Sequence, residues 1–219
     1  MKKLLVLLPL VGLSAAAALG SPGRFGADSN RVTNAWFPLR PGTVWVYRGV
    51  KDGKPARDVV TVPHAAKTID GVRCQVVEDR LYLPGRLAER TTDWYAQDRA
   101  GNVWYYGERT AELDVHGNVT STEGTWQSGR NGAQAGIFMP ADPRVGQSFR
   151  QEYYKGHAED HFRVLSRTPR MLLTEEWTPL EPAVLDRKRY RRGVGEVREE
   201  SVRGATERLV LVSVKGGGA

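Results

Sequence analysis

The chain has 219 residues, 40% of them hydrophobic, with 32 Lys and Arg against 25 Asp and Glu, a formal net charge of +7. That length allows one domain with a real core, and so modest a basic excess excludes the dense Lys/Arg content of a dedicated nucleic-acid binder. The single cysteine, Cys74, excludes a disulfide-stapled fold, a CxxC redox site and a multi-cysteine zinc site.

Residues 1–20 read as a signal peptide. Lys2 and Lys3 form a positive n-region, and residues 4–13 (LLVLLPLVGL) form an apolar h-region too short to span a bilayer. Residues 14–20 (SAAAALG) supply the small side chains for cleavage after Ala18 or Gly20. No cysteine follows the h-region, which argues against a lipid anchor. Without the two leader lysines, 30 basic residues face 25 acidic ones. The expected location is periplasmic or extracellular, with nothing spanning the membrane after cleavage.

Residues 21–34 are polar and glycine-containing without periodicity, the pattern of a flexible lead-in. From Trp36 onward, short β-type runs alternate with turn signals. Residues 43–50 (TVWVYRGV) and 58–62 (DVVTV) flank Asp52-Gly53, a pair suited to the positive φ angles of a type I′ hairpin. Asp70-Gly71 turns the chain into the run 72–83, where Cys74 is expected to be a buried, inert thiol. Further runs at 90–98, 103–108, 111–115, 119–126, 148–154, 159–166, 171–177, 184–190, 195–202 and 207–214 follow at regular spacing. No window carries helical apolar spacing. The expected fold class is all-β: a single antiparallel domain over 35–215, a curved sheet or partly open barrel (lipocalin-like or half-barrel) of roughly ten to thirteen strands with little helix. Residues 129–145, rich in Gly and Pro, read as a long excursion across one end of the β structure, and 216–219 as a flexible tail.

The segment 34–49 (NAWFPLRPGTVWVYRG), with its aromatic pair, Pro-Leu, Pro-Gly and Trp-x-Tyr, resembles the opening of a group of uncharacterised exported bacterial envelope proteins. The runs 93–98 (DWYAQD), 101–108 (GNVWYYGE), 151–160 (QEYYKGHAED) and 177–182 (WTPLEP) look like the same family. The resemblance implies an exported β-rich domain and brings no activity with it.

Chemistry-bearing side chains concentrate in residues 151–161 (QEYYKGHAEDH). On a strand over 156–165, His157, Glu159 and His161 would share one face, neighbours lying about 7 Å apart, so two of them could hold a divalent metal. The zincin helix pattern fails because Ala158, not Glu, follows His157. The carboxylates Glu152, Glu159 and Asp160, with Glu175, Glu176 and Glu181 on predicted neighbouring strands, are candidates for acid/base work. Cross-strand pairing on a polar face with Arg150, Lys155, Arg163 and the basic run 187–192 (RKRYRR) accounts for them better. That run reads best as an edge strand protected by charge. Nucleotide, phosphate and nucleophile-elbow motifs are absent from the sequence. The abundant aromatics suit either a β core or a cavity for a sugar or apolar ligand.

These features point to a non-enzymatic binding or envelope-associated β domain. Its expected ligand is a small apolar, sugar or anionic envelope molecule, and no cofactor is expected. A carboxylate-dependent hydrolase or lyase and a metal-binding domain stay open as alternatives.

Overall fold

The computed structural model describes residues 23–216. The expected signal peptide and residues 217–219 of the tail lie outside the described residues. Antiparallel strands build the first half: β1 (Val44–Lys51), β2 (Lys54–Thr61), β3 (Ala66–Ile69), β4 (Val72–Leu83), β5 (Arg86–Gln97), β6 (Val103–Leu113), β7 (Val119–Ser121) and β8 (Trp126–Gln127). The second half follows suit with β9 (Gln134–Met139), β10 (Ser148–Arg150), β11 (Glu152–Tyr153), β12 (His161–Arg167), β13 (Met171–Trp177), β14 (Leu185–Arg191), β15 (Gly195–Arg203) and β16 (Glu207–Lys215). The all-β expectation holds. Asp52 and Gly53 both have positive φ (52° and 71°), as do Asp70 and Gly71 (50° and 75°), which is the backbone the Asp-Gly pairs call for.

The strands form one sheet in the order β10-β12-β13-β14-β15-β16-β1-β2-β4-β5-β6-β9-β11, with β3, β7 and β8 paired at its sides. Its two ends belong to one stretch of chain, because β10 pairs with β12 and β11 pairs with β9, separated only by Gln151. The sheet therefore curls into a nearly closed barrel, and β10 leaves one unsealed seam beside β9. At that seam a Cβ on Gly136 of β9 would fall 2.2 Å from the Arg150 carbonyl oxygen and 2.5 Å from that of Gln151. Only glycine lets the two backbones approach so closely.

Three expectations change. Residues 129–145 are not a mere excursion, since they contain β9, the stave that completes the barrel. The run 187–192 is no edge strand, since β14 is hydrogen-bonded to β13 on one side and β15 on the other. Residues 23–34 are packed rather than flexible. Phe25 meets Trp104 and Tyr106 edge-on, the Gln97 amide donates to the Ser29 carbonyl, and Val32 bridges to Leu39.

Two cores result. Inside the barrel, Trp45, Tyr47, Val77, Tyr95, Tyr105 and Phe162 pack with Trp36 and Leu39 from the N-terminal segment, which plugs one end. Buried Asn34 ties that plug down. Its Nδ2 donates to the carbonyls of Gly101 (2.9 Å) and Pro140 (3.0 Å), and its Oδ1 accepts from the amides of Trp36 and Phe37. Outside the barrel, Ile69, Cys74, Trp94, Trp104 and Tyr106 form a second cluster under Phe25. Burial there pushes the Cys74 thiol up to about 12, consistent with an inert side chain.

Candidate functional site

The barrel encloses a cavity of about 480 Å³, within the roughly 300–1,000 Å³ usual for small-molecule sites. Toward the plug its surface is aromatic. Tyr95 stacks on Tyr105 (ring centroids 4.8 Å apart), with Phe37 and Phe138 against them and Trp126 edge-on to Tyr105.

The wall is acidic. Asp58 of β2, Asp79 of β4, Glu89 and Asp93 of β5 and Glu108 of β6 face inward on one side. Glu152 of β11 and Asp160 line the cavity beside the seam. Glu176 of β13 and Asp186 of β14 continue the wall, followed by Glu196 and Glu199 of β15 and Glu207 of β16. Against these twelve carboxyl groups the lining contains only two cations, Lys51 and Lys188. Both are engaged: Lys51 with Glu207 (3.5 Å), Lys188 with Glu176 (2.9 Å) and Glu199 (3.3 Å).

So much like charge in a confined space resists ionisation. Burial, then the charge of Asp79, pushes Asp58 up to about 11. Burial, then Asp160, raises Glu152 to about 8. Asp93 rises to about 7 through burial, opposed by the Tyr105 hydroxyl that donates to its Oδ1 at 2.6 Å. Glu108 and Glu196 are raised well above the usual carboxyl range by burial, reinforced respectively by Asp93 and Glu199.

Several lumen groups are also unsatisfied. Glu152 Oε2 (residue 5% exposed), Gln151 Nε2 (4%) and Asp58 Oδ1 (8%) lack hydrogen-bond partners within the protein. Behind the wall, the Trp126 indole N–H is aimed at the Glu152 carboxyl and helps its ionised form, although the pair falls outside strict hydrogen-bond geometry. Buried polar atoms are ordinarily paired, so such a group of orphans needs an explanation.

Of the residues singled out by sequence, the fold brings Glu152, buried, and Asp160, at the exposed rim, to the same cavity and separates Glu159 from them. Glu159 instead accepts a hydrogen bond from the Gly156 amide at 2.7 Å in a turn closed by Tyr154 and Ala158. The expected strand over 156–165 starts only at His161, so the shared face of His157, Glu159 and His161 does not exist. His157 is exposed and stacks on Tyr154 (4.3 Å), and His161 stacks on Trp177 (5.5 Å). Among the described residues, no three His, Cys, Asp or Glu side chains gather in a metal-holding group. Glu175 and Glu176 point to opposite faces. Glu175 lies outside, where hydrogen bonds from Arg163 (2.7 Å) and Arg187 (2.9 Å) hold its carboxyl below the usual range. Expected cross-strand pairing therefore explains Glu175, whereas Glu176 belongs to the lumen.

Ten of the twelve lumen carboxyls, Glu152 and Asp160 aside, lie outside the segment 151–161 on which the acidic candidates centred. Part of their signal was present as charge inside an apolar alternation at Val77-x-Asp79-x-Leu81, whereas Glu89-x-Thr91-x-Asp93 on the next strand reads as a polar face. A polar residue on the apolar face of a barrel strand marks a lumen that is not simply filled by core.

Comparisons with known proteins add little. No family model matches the chain, and no curated protein matches it. A solved structure of a candidate lipoprotein from Parabacteroides distasonis covers 83% of this chain and 99% of its own, at 12% identity and a TM-score of 0.41. A likeness at that level carries no argument about topology or function.

Proposed function

We propose that this is an exported, envelope-associated binding protein that holds a small molecule inside its barrel. The observation that carries this reading is the lumen itself: a cavity of about 480 Å³ whose wall bears buried polar atoms with no partner in the protein. A filled hydrophobic core needs neither feature. The leader-like residues 1–20 and the family resemblance support export. The test is a melting scan with panels of sugars, fatty acids, amines and organic anions, repeated on Leu81→Trp, which fills the lumen. A ligand that prefers the native state raises the melting temperature of the wild type and has no effect on the filled variant. If no compound in any panel shifts the wild type, the binding reading falls.

A second reading, a hydrolase or lyase, draws on one observation. Glu152, raised to about 8 and beside Asp160, is a carboxyl kept protonated near neutral pH in a concave site, as a general acid must be. Turnover of glycosides or uronides that is abolished in Glu152→Gln would establish it.

A further inference from the structure

We propose that the lumen selects a primary ammonium ion carrying an aromatic or aliphatic body, with the ammonium at Glu152 and the body on the Tyr95–Tyr105 floor; this rests on the lumen being a binding site. Four observations converge on this class. The wall sets twelve carboxyl groups against two lysines; several stay protonated for want of counter-charge, so an entering cation lets them ionise while an anion finds no free partner. Glu152 Oε2, in a residue 5% exposed, has no donor in hydrogen-bond geometry, and the one group aimed at the carboxyl is the neutral Trp126 indole N–H, which brings no charge. Lys188, the cation acting on neighbouring Asp93 and Asp160, is already held between Glu176 and Glu199, so the protein supplies Glu152 with no counter-charge of its own. Finally, Phe37, Tyr95, Tyr105 and Phe138, which line the cavity, offer contact area to an apolar body.

The arrangement favours an organic ammonium over a metal ion. The carboxyl groups are spread around the wall and not gathered in threes, whereas an ammonium carries three N–H donors that reach separate acceptors. Glu152 and Asp160 would supply two of those acceptors. A cation seated there favours the ionised carboxylates, so binding expels protons from the wall.

Three isosteres differing in charge test the class: tyramine, its neutral alcohol tyrosol and the anion 4-hydroxyphenylacetate. Each is titrated calorimetrically into the protein at pH 8, with tyramine repeated in two buffers of different ionisation enthalpy. The expected result is that tyramine binds and releases protons, while tyrosol and 4-hydroxyphenylacetate bind at least tenfold more weakly. Glu152→Gln, which keeps the side-chain shape and removes a buried charge, should weaken tyramine about tenfold while melting no lower than wild type. Equal binding of tyrosol and tyramine, or tyramine binding unchanged in Glu152→Gln, overturns the ammonium site while leaving lumen binding intact. Failure of all three isosteres overturns the ammonium class. Failure of every panel in the melting scan as well overturns the binding reading beneath it.

Discussion

The Tyr105 hydroxyl donates to Asp93 Oδ1 at 2.6 Å, at the level where the aromatic floor of the lumen meets its acidic wall. Both side chains are buried, so this bond is a main support for the ionised form of Asp93. Tyr105→Phe removes the donor and keeps the ring. It should cost about 1–2 kcal/mol at pH 8, where Asp93 is ionised, and less at pH 5, where the carboxyl is protonated. Chemical denaturation at the two pH values measures the difference; equal losses would contradict it.

The wall as a whole makes stability depend on pH with a definite sign. Asp93 (about 7) and Glu152 (about 8) are raised in the folded state, so between about pH 4 and those values the native protein holds more protons than the unfolded chain. Stability is then fully present below the unfolded values and is lost as pH rises toward 8. The melting temperature should fall by several degrees from pH 5 to pH 8, and Glu152→Gln should flatten that slope. Glu175, held low by Arg163 and Arg187, acts oppositely and only at more acidic pH.

The plug depends on Asn34. Asn34→Ala strips donors from two carbonyls and an acceptor from the amides of Trp36 and Phe37, all in a largely buried setting. A loss of about 2–3 kcal/mol is expected from the unsatisfied groups. Because Phe37 and Leu39 line the cavity, the variant should also bind a fluorescent apolar probe more strongly than the wild type does.

The seam depends on Gly136. In Gly136→Ala the new methyl meets the carbonyl oxygens of Arg150 and Gln151, forcing β9 and the β10–β11 stretch apart. Overpacking of this kind costs about 1–3 kcal/mol. Hydrogen exchange should accelerate at the amides of β9 and β11 while those of β4 and β5 keep their protection.

Much of the fold was legible because its signals are local. The Asp52-Gly53 and Asp70-Gly71 turns follow from positive φ, and β4 runs from Val72 to Leu83 as the apolar alternation indicates. Less was legible in β9. The stretch QAGIFM is short and set among turn residues, and its role as a stave depends on Gly136 meeting residues 150–151 across the seam. In the same way, alternation over 156–165 suggested a strand face for His157 and His161. The turn at Tyr154–Ala158, closed by its own hydrogen bonds, removed it.

By itself the sequence determined that the chain is all-β, held together without disulfides and basic overall. Only the tertiary structure decided where the charges go. Two-residue alternation says which side chains share a face but not which face is inside, and bulges break even that rule. Tyr105 and Glu108 are three residues apart, and so are Glu196 and Glu199, yet all four line the cavity. Register shifts between Asp93 and Tyr95 on the β5–β6 ladder, and between Arg189 and Tyr190 on the β14–β15 ladder, turn them to the same side. A chain with a formal charge of +7 thereby acquires an interior where carboxyl groups outnumber lysines twelve to two. Closing the sheet sorts charge by side, and composition counts it without regard to side.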